Sequence, residues 1–185
     1  MVETIETGRL ILRTFTQGDL KDFYEYAKNP DIGIHAGWKP HESILETEMI
    51  LSNFMKTEVW AIVLKKENKV IGSIGLHDDV RRQSLRDLKS IGYVISKDYW
   101  GDGFATEATT ALMNYVFNKL KMELLSIYHY PDNNRSRRVI EKSGFKFEGI
   151  LRAADVRYNG ESVDLCSYSI TEKEFKTSII DYKNA

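Results

Sequence analysis

The chain has 185 residues, 42% hydrophobic and 29% charged, with a formal net charge of −1, the balance of an ordinary globular protein. The length suggests one domain over 1–185, and the near-zero charge argues against a direct nucleic-acid binder, which carries a basic excess. No apolar run approaches the ~20 residues of a membrane span, MVETIETGRL lacks a signal-peptide core, and the lone Cys166 forms no internal disulfide; cytoplasmic residence is the expectation.

Arg9–Arg13 reads as a short strand. Thr16 or Asp19 opens a helix with Leu20, Phe23, Tyr24 and Ala27 at helical spacing. Asn29-Pro30-Asp31 is expected to end it, ahead of a polar, aromatic loop with His35, Gly37, Trp38, Pro40 and His41. Ser43 starts a second helix through Lys56, with Glu46 in capping-box position. Val59–Leu64 is a continuous apolar strand, Glu67-Asn68-Lys69 a turn, and Val70–Leu76 the next strand. A polar loop, Asp78–Asp87, leads to a strand at Leu88–Ile95 and then to a helix of about four turns. Leu124–Tyr130 is a strand, and Asn133–Ser143 a helix ending at Gly144. Two strands, 146–158 and 162–170, close the chain through Asn159-Gly160, a strong hairpin signal. The order β-α-α-β-β-β-α-β-α-β-β predicts an α/β (α+β) fold: a mixed, mostly antiparallel sheet of about seven strands with about four helices.

The stretch YWGDGFATEA, residues 99–108, puts Gly101 and Gly103 at a helix start. Helix N-termini expose unpaired N–H groups and partial positive charge, so an anion binds there if no side chain blocks it. The stretch is neither GxGxxG nor a P-loop, and a plain turn explains the glycines equally well. A second strand–loop–helix unit, PDNNRSRRVIEKSGF at 131–145, has Asn133 and Ser136 at its helix start and a basic surface. Asn133, Ser136 and Ile140 fall on one helix face. Capping explains the first two as well as ligand binding does.

Together these segments resemble the GNAT superfamily of acetyl-CoA-dependent N-acetyltransferases. The family's Gln/Arg-x-x-Gly-x-Gly/Ala motif reads Trp100-Gly101-Asp102-Gly103-Phe104-Ala105 here, with Trp100 replacing Gln or Arg. WGDGFATEA, Asn133-x-x-Ser136, Glu141-Lys142-x-Gly144-Phe145, GRLILR and GWKPHES look like the branch that includes ribosomal-protein N-terminal (alanine/serine) acetyltransferases. The resemblance implies that backbone N–H groups of Gly101, Asp102, Gly103, Phe104, Ala105 and Thr106 meet the coenzyme's pyrophosphate. It implies that the pantetheine arm lies beside Gly92, Tyr93, Val94 and Ile95 where the sheet splays open. Asn133 would bond the pantetheine, and Lys142 or a nearby arginine a phosphate.

Many members carry a tyrosine seven residues after the motif's asparagine, where this chain has Ile140. The ribosomal branch uses a serine as the acid, which Ser136 matches; Asp155 matches a carboxylate of that branch and is the candidate base, acting through a water. Asp164 is a weaker candidate. His35, Trp38 and His77 are assigned to the acceptor pocket, with His41 in the same segment. Arg81, Arg82 and Arg86 cluster in one loop, as an attraction for an acidic acceptor or as a solvated face. Cys166 reads as a small core residue, and no His/Cys spacing predicts a metal.

The expected activity is therefore acetyl transfer from acetyl-CoA to a primary amine, by direct attack in a ternary complex. The expected acceptor is a protein N-terminus of the ribosomal type. A small amine such as a polyamine or antibiotic, and a non-catalytic acyl-CoA sensor, are the alternatives. No membrane partner is expected, and the chain is a monomer or homodimer.

Overall fold

The computed structural model describes residues 2–82 and 88–177. The strands are β1 (Ile5–Glu6), β2 (Leu10–Thr14), β3 (Val59–Leu64), β4 (Lys69–His77), β5 (Leu88–Ile95), β6 (Leu124–His129), β7 (Lys146–Val156) and β8 (Ser162–Thr171). They form one sheet in the order β1-β2-β3-β4-β5-β6-β8-β7. Every neighbouring pair is antiparallel except β5 and β6. The α-helices are α1 (Leu20–Ala27), α2 (Pro30–Ala36), α3 (Ile44–Phe54), α4 (Phe104–Tyr115) and α5 (Asn134–Lys142), and residues 172–177 are helical too.

The mixed, mostly antiparallel sheet with packed helices is the expected class, with four differences of detail. β1 holds two residues, too few for any periodicity, and exists because Ile5 and Glu6 pair with Leu12 and Ile11. α2 occupies the segment expected to be a loop. The Asn29-Pro30 pair that reads as a terminator starts a helix instead: the Asn29 side chain accepts from the Asp31 N–H at 2.9 Å, and Pro30 sits in the first turn. There its missing N–H costs nothing. Gly37, at φ 81°, ends α2 in the left-handed conformation that glycine adopts without strain. α4 runs on through a π-helical turn, Val116–Leu120. The segment at 172–177 is capped by Thr171, whose N–H and hydroxyl donate to the Glu174 carboxylate at 3.0 and 2.9 Å.

The unbroken apolar run of β3 has a simple cause. Trp60, Ile62 and Leu64 pack with α4 on one face, while Val59, Ala61 and Val63 pack with α1 and α3 on the other. A strand covered on both faces has no polar positions to alternate. Each buried side chain of this size contributes about 1.5–3 kcal/mol through apolar burial.

Two features of β5 create the site. It pairs with β4 through Ile95, yet pairs with β6 only at Leu88, Lys89 and Ser90. Beyond Ser90 the parallel strands separate, leaving the edge of 91–95 without a strand partner on the β6 side. Gly72 permits the tight β4–β5 approach, because a Cβ there would lie 2.1 Å from the Val94 carbonyl oxygen.

Candidate functional site

The gap between β5 and β6 opens into a cavity of about 850 Å³. One half is bounded by β5, the start of α4 and the first turns of α5; the other by α2, Trp38 and the ends of β3, β4 and β6.

In the first half, Gly101 and Gly103 have φ of 93° and 82°. Both are left-handed, so glycine is needed here for backbone conformation as well as for access. A Cβ on Gly101 would meet nothing within 4 Å, and one on Gly103 only Arg9 Nη2 at 3.6 Å. Gly103 is the N-cap of α4 and no side chain caps the helix. The unpaired N–H groups of its first turn are therefore available to an anion. Gly101, Gly103, Phe104, Ala105 and Thr106 line the cavity together with Tyr93, Val94 and Ile95; the Asp102 side chain does not. Trp100, in the motif's Gln/Arg position, donates its indole N–H to the Ile95 carbonyl at 2.8 Å. The Arg135 guanidinium stacks 3.9 Å over its ring, tying α5 to the glycine turn.

Asn133 caps α5, its side-chain oxygen accepting from the Ser136 N–H at 3.0 Å. Capping therefore uses the carbonyl of Asn133 and leaves its amide N–H groups to donate. Ser136 Oγ lies 3.1 Å from the Tyr93 hydroxyl. Burial pushes the Tyr93 phenol up to about 12, so it stays protonated. Lys142 and Arg138 also line the cavity, whereas Ile140, expected on the face of Ser136, is fully buried in the core.

In the second half, α2 carries His35 and the turn after it carries Trp38, both against the cavity. His35 Nδ1 and Trp38 Nε1 are buried with no hydrogen-bond partner. His77 ends β4 beside Gly75 and Gly92, which face each other across β4 and β5. Its Nε2 lies 3.1 and 3.6 Å from where their Cβ atoms would be. Paired glycines are what leave room for the imidazole. Burial lowers the pKa of His35 and of His77; for His77 the Lys89 ammonium adds to it, opposed by Glu58 and Asp78.

Several expected residues lie elsewhere. His41 is not in the lining: it is buried against Phe23, its Nδ1 2.9 Å from Thr47 Oγ1. Asp155 is also outside the lining and accepts from the Tyr130 hydroxyl at 3.1 Å. Asp164 accepts from the Ala153 N–H at 2.8 Å, supporting a left-handed residue at φ 49°. The arginine loop is not a free cationic surface. Arg81 donates to the Ala154 carbonyl at 3.0 Å, and Arg82 pairs with Glu148 and, at 3.2 Å, with Asp79. Arg86 lies outside the described residues. Cys166 is buried in β8, and burial raises its thiol pKa.

Sequence reasoning missed Tyr128 and His129 of β6. Tyr128 lines the cavity and donates to the buried Asp79 carboxylate at 2.7 Å. His129 Nδ1 lies 2.8 Å from the Tyr130 carbonyl oxygen, the geometry in which Nδ1–H donates. This leaves Nε2 as an acceptor, buried and without a partner. Neither residue carries a sequence signal, because their roles follow from where β6 leaves β5.

A family model described as "Acetyltransferase (GNAT) domain" matches residues 9–146. The "Uncharacterized N-acetyltransferase YoaA" of Bacillus subtilis is 30% identical over 178 residues, 93% of this chain and 98% of that one. The ribosomal-protein-serine acetyltransferase of Escherichia coli is 29% identical over 90 residues, 49% of each chain. The crystal structure of a GNAT-family acetyltransferase from Bacillus anthracis superposes with a TM-score of 0.83 at 26% identity, covering 92% of this chain and 99% of that one.

Proposed function

Because the chain belongs to the GNAT acetyltransferase family and is an acetyl-CoA-dependent N-acetyltransferase, we propose that its acceptor is the α-amine of a protein N-terminus, of the ribosomal-protein type. One observation carries this reading. Among the described residues the cavity lining holds a single carboxylate, Asp31, and that one is ion-paired with Lys97. The other ionisable groups of the acceptor half include His35, His77 and His129, all with pKa values lowered chiefly by burial. A polyamine or lysine side chain, with a pKa near 10.4, is neutral in only about one molecule in 2,500 at pH 7 and needs anionic partners. An α-amine near 7.7–8.0 is roughly a tenth neutral and needs none. The relative named as a ribosomal-protein-serine acetyltransferase supports the same choice.

In this reading bound acetyl-CoA supplies the thioester carbonyl. The uncapped first turn of α4, with Gly101 to Thr106, holds the pyrophosphate, and the open edge of β5 from Tyr93 to Ile95 takes the pantetheine arm. Asn133 and Lys142 add a hydrogen bond and a charge. Trp38 and His35 orient the acceptor. As the N–C bond forms, His77 takes the amine proton. As the C–S bond breaks, Ser136 gives its proton to the sulfur and recovers one from Tyr93; when the products leave, His77 returns the amine proton to solvent and solvent reprotonates Tyr93. Direct transfer suits a site in which the buried Cys166 lies outside the lining. Asp155 is the alternative proton acceptor, acting through Tyr130 or a water.

The test is an acceptor screen reading CoA release, with a serine- or alanine-initiated hexapeptide, its N-acetylated form carrying one lysine, and spermine. The free-N-terminus peptide is expected to turn over at least ten-fold faster than the other two; equal or faster turnover of spermine overturns the assignment. The proton acceptor is tested separately. A lowered His77 pKa leaves the imidazole neutral at pH 7 and able to accept, and activity falls as pH drops through that value. His77→Gln is expected to lower kcat by roughly 10- to 100-fold at pH 7, at or below the low end of general-base contributions because an α-amine is already partly neutral. It should also remove the acidic limb of kcat at saturating acceptor. If the limb persists in His77→Gln and disappears in Asp155→Asn, the base is Asp155.

A further inference from the structure

We propose that Arg9, at the corner between β1 and β2, is a positioning residue that holds the glycine turn in its anion-binding shape. This rests on the reading that the turn receives the coenzyme's pyrophosphate. The turn has little to restrain it internally: two left-handed glycines and a helix start with no side-chain cap. Glycine has the largest conformational freedom to lose on ordering, so a turn of this kind needs support from outside.

Arg9 supplies it at several points at once. Its Nη1 donates to the Asp102 carbonyl, between the two glycines, at 3.0 Å. Its Nε donates to Glu107 Oε2 at 2.7 Å, and its backbone N–H to Glu107 Oε1 at 3.0 Å. The guanidinium carbon lies 4.4 Å from the centre of the Phe104 ring, and Nη2 lies beside Gly103. Thr7 completes the clamp, its hydroxyl donating to Glu107 Oε1 at 2.6 Å.

Two consequences follow. A trans peptide holds its C=O and N–H in opposite directions. Fixing the Asp102 carbonyl on Arg9 therefore turns the Gly103 N–H away from Arg9. Second, Glu107 sits in the first turn of α4, where a bare carboxylate would repel an approaching phosphate. Three donors occupy it and a cation lies against it. The ion pair is half exposed on the arginine side and contributes little by charge alone. The planar fork matters more, because it bonds the carbonyl and the carboxylate together.

The experiment uses coenzyme A binding, which requires no acceptor, by titration calorimetry on wild type, Arg9→Ala and Arg9→Lys. Pantetheine, which lacks the phosphates, is titrated in parallel by NMR. Arg9→Ala is expected to weaken coenzyme A binding at least ten-fold and pantetheine binding less than two-fold. Arg9→Lys, which keeps the charge without the fork, is expected to weaken coenzyme A binding about five-fold. Coenzyme A affinity within two-fold of wild type in either folded variant overturns the proposal, as does an equal loss of both ligands. If Arg9→Ala does not fold, Arg9→Lys decides by the same criteria. Gly103→Val separates the two readings: unchanged coenzyme A binding there removes the phosphate site itself, whereas loss there with wild-type binding in the Arg9 variants removes only the clamp.

Discussion

Replacing Gly103 by valine is expected to raise the Kd for coenzyme A at least 100-fold, measured by titration calorimetry. Two effects combine. Gly103 has φ 82°, and the left-handed region costs an L-residue roughly 1–2 kcal/mol, more for a β-branched one. The valine branches would also enter the space before the first turn of α4, where the only neighbour within 4 Å of a Cβ is Arg9 Nη2. Relaxing the strain means moving the turn or displacing the guanidinium, and each disturbs the N–H groups that face the anion. Together they are expected to supply the ~2.7 kcal/mol that a 100-fold change requires. Gly101→Ala isolates the backbone effect, because Gly101 has φ 93° and open space around its Cβ position. It is expected to weaken binding about ten-fold. Wild-type affinity in Gly103→Val would mean that the phosphates bind elsewhere.

Ser136→Ala is expected to lower kcat ten-fold or more while the KM for acetyl-CoA stays within about two-fold, the range expected when one proton donor is lost. Ser136 lines the cavity in the first turn of α5, its hydroxyl 3.1 Å from the Tyr93 hydroxyl. Ile140, where the family resemblance leads one to expect a tyrosine, is buried and has no proton to give. Tyr93, with its phenol pushed up to about 12, remains a donor through the working pH range and adds no limb of its own to the pH profile below pH 10. Tyr93→Phe is expected to lower kcat about three- to ten-fold, and the double variant no further than Ser136→Ala, because the two hydroxyls act in series. Steady-state kinetics at saturating acetyl-CoA checks this. Unchanged kcat in Ser136→Ala removes the serine from the chemistry and returns it to a helix-start role.

Local signals carried much of the fold. β3 was legible to the residue because both of its faces are buried. Ser43 was legible as a cap, and its hydroxyl accepts the Glu46 N–H at 3.1 Å. The other half of the expected capping box differs: the Glu46 carboxylate accepts from the Glu42 N–H at 2.8 Å. α2 was missed because Asn-Pro stops one helix and starts another with equal ease. The helix at 172–177 was missed despite its signal, Thr171-x-x-Glu174.

The candidate site divides in the same way. The donor half depends on short-range chemistry: two glycines in the left-handed region, a helix start without a cap, and a serine three residues after an asparagine. Such features occupy short stretches of chain, so the sequence by itself determined the order and backbone conformation of these groups, and with them the family. The acceptor half joins His35 of α2, His77 of β4 and His129 of β6, with Trp38 beside them. Its composition depends on where β6 leaves β5 and on which face of the sheet each strand presents. The same holds for expected residues that lie outside the cavity lining. His41 is drawn into the core by Thr47 and Phe23, Arg82 is taken up by Asp79 and Glu148, and Asp155 is turned to Tyr130. Arg9 reaches the glycine turn across more than ninety residues of chain, because β2 lies beside β3 at one end of the sheet while α4 packs across that face. Long-range pairing decided these contacts, and no local spacing encodes it.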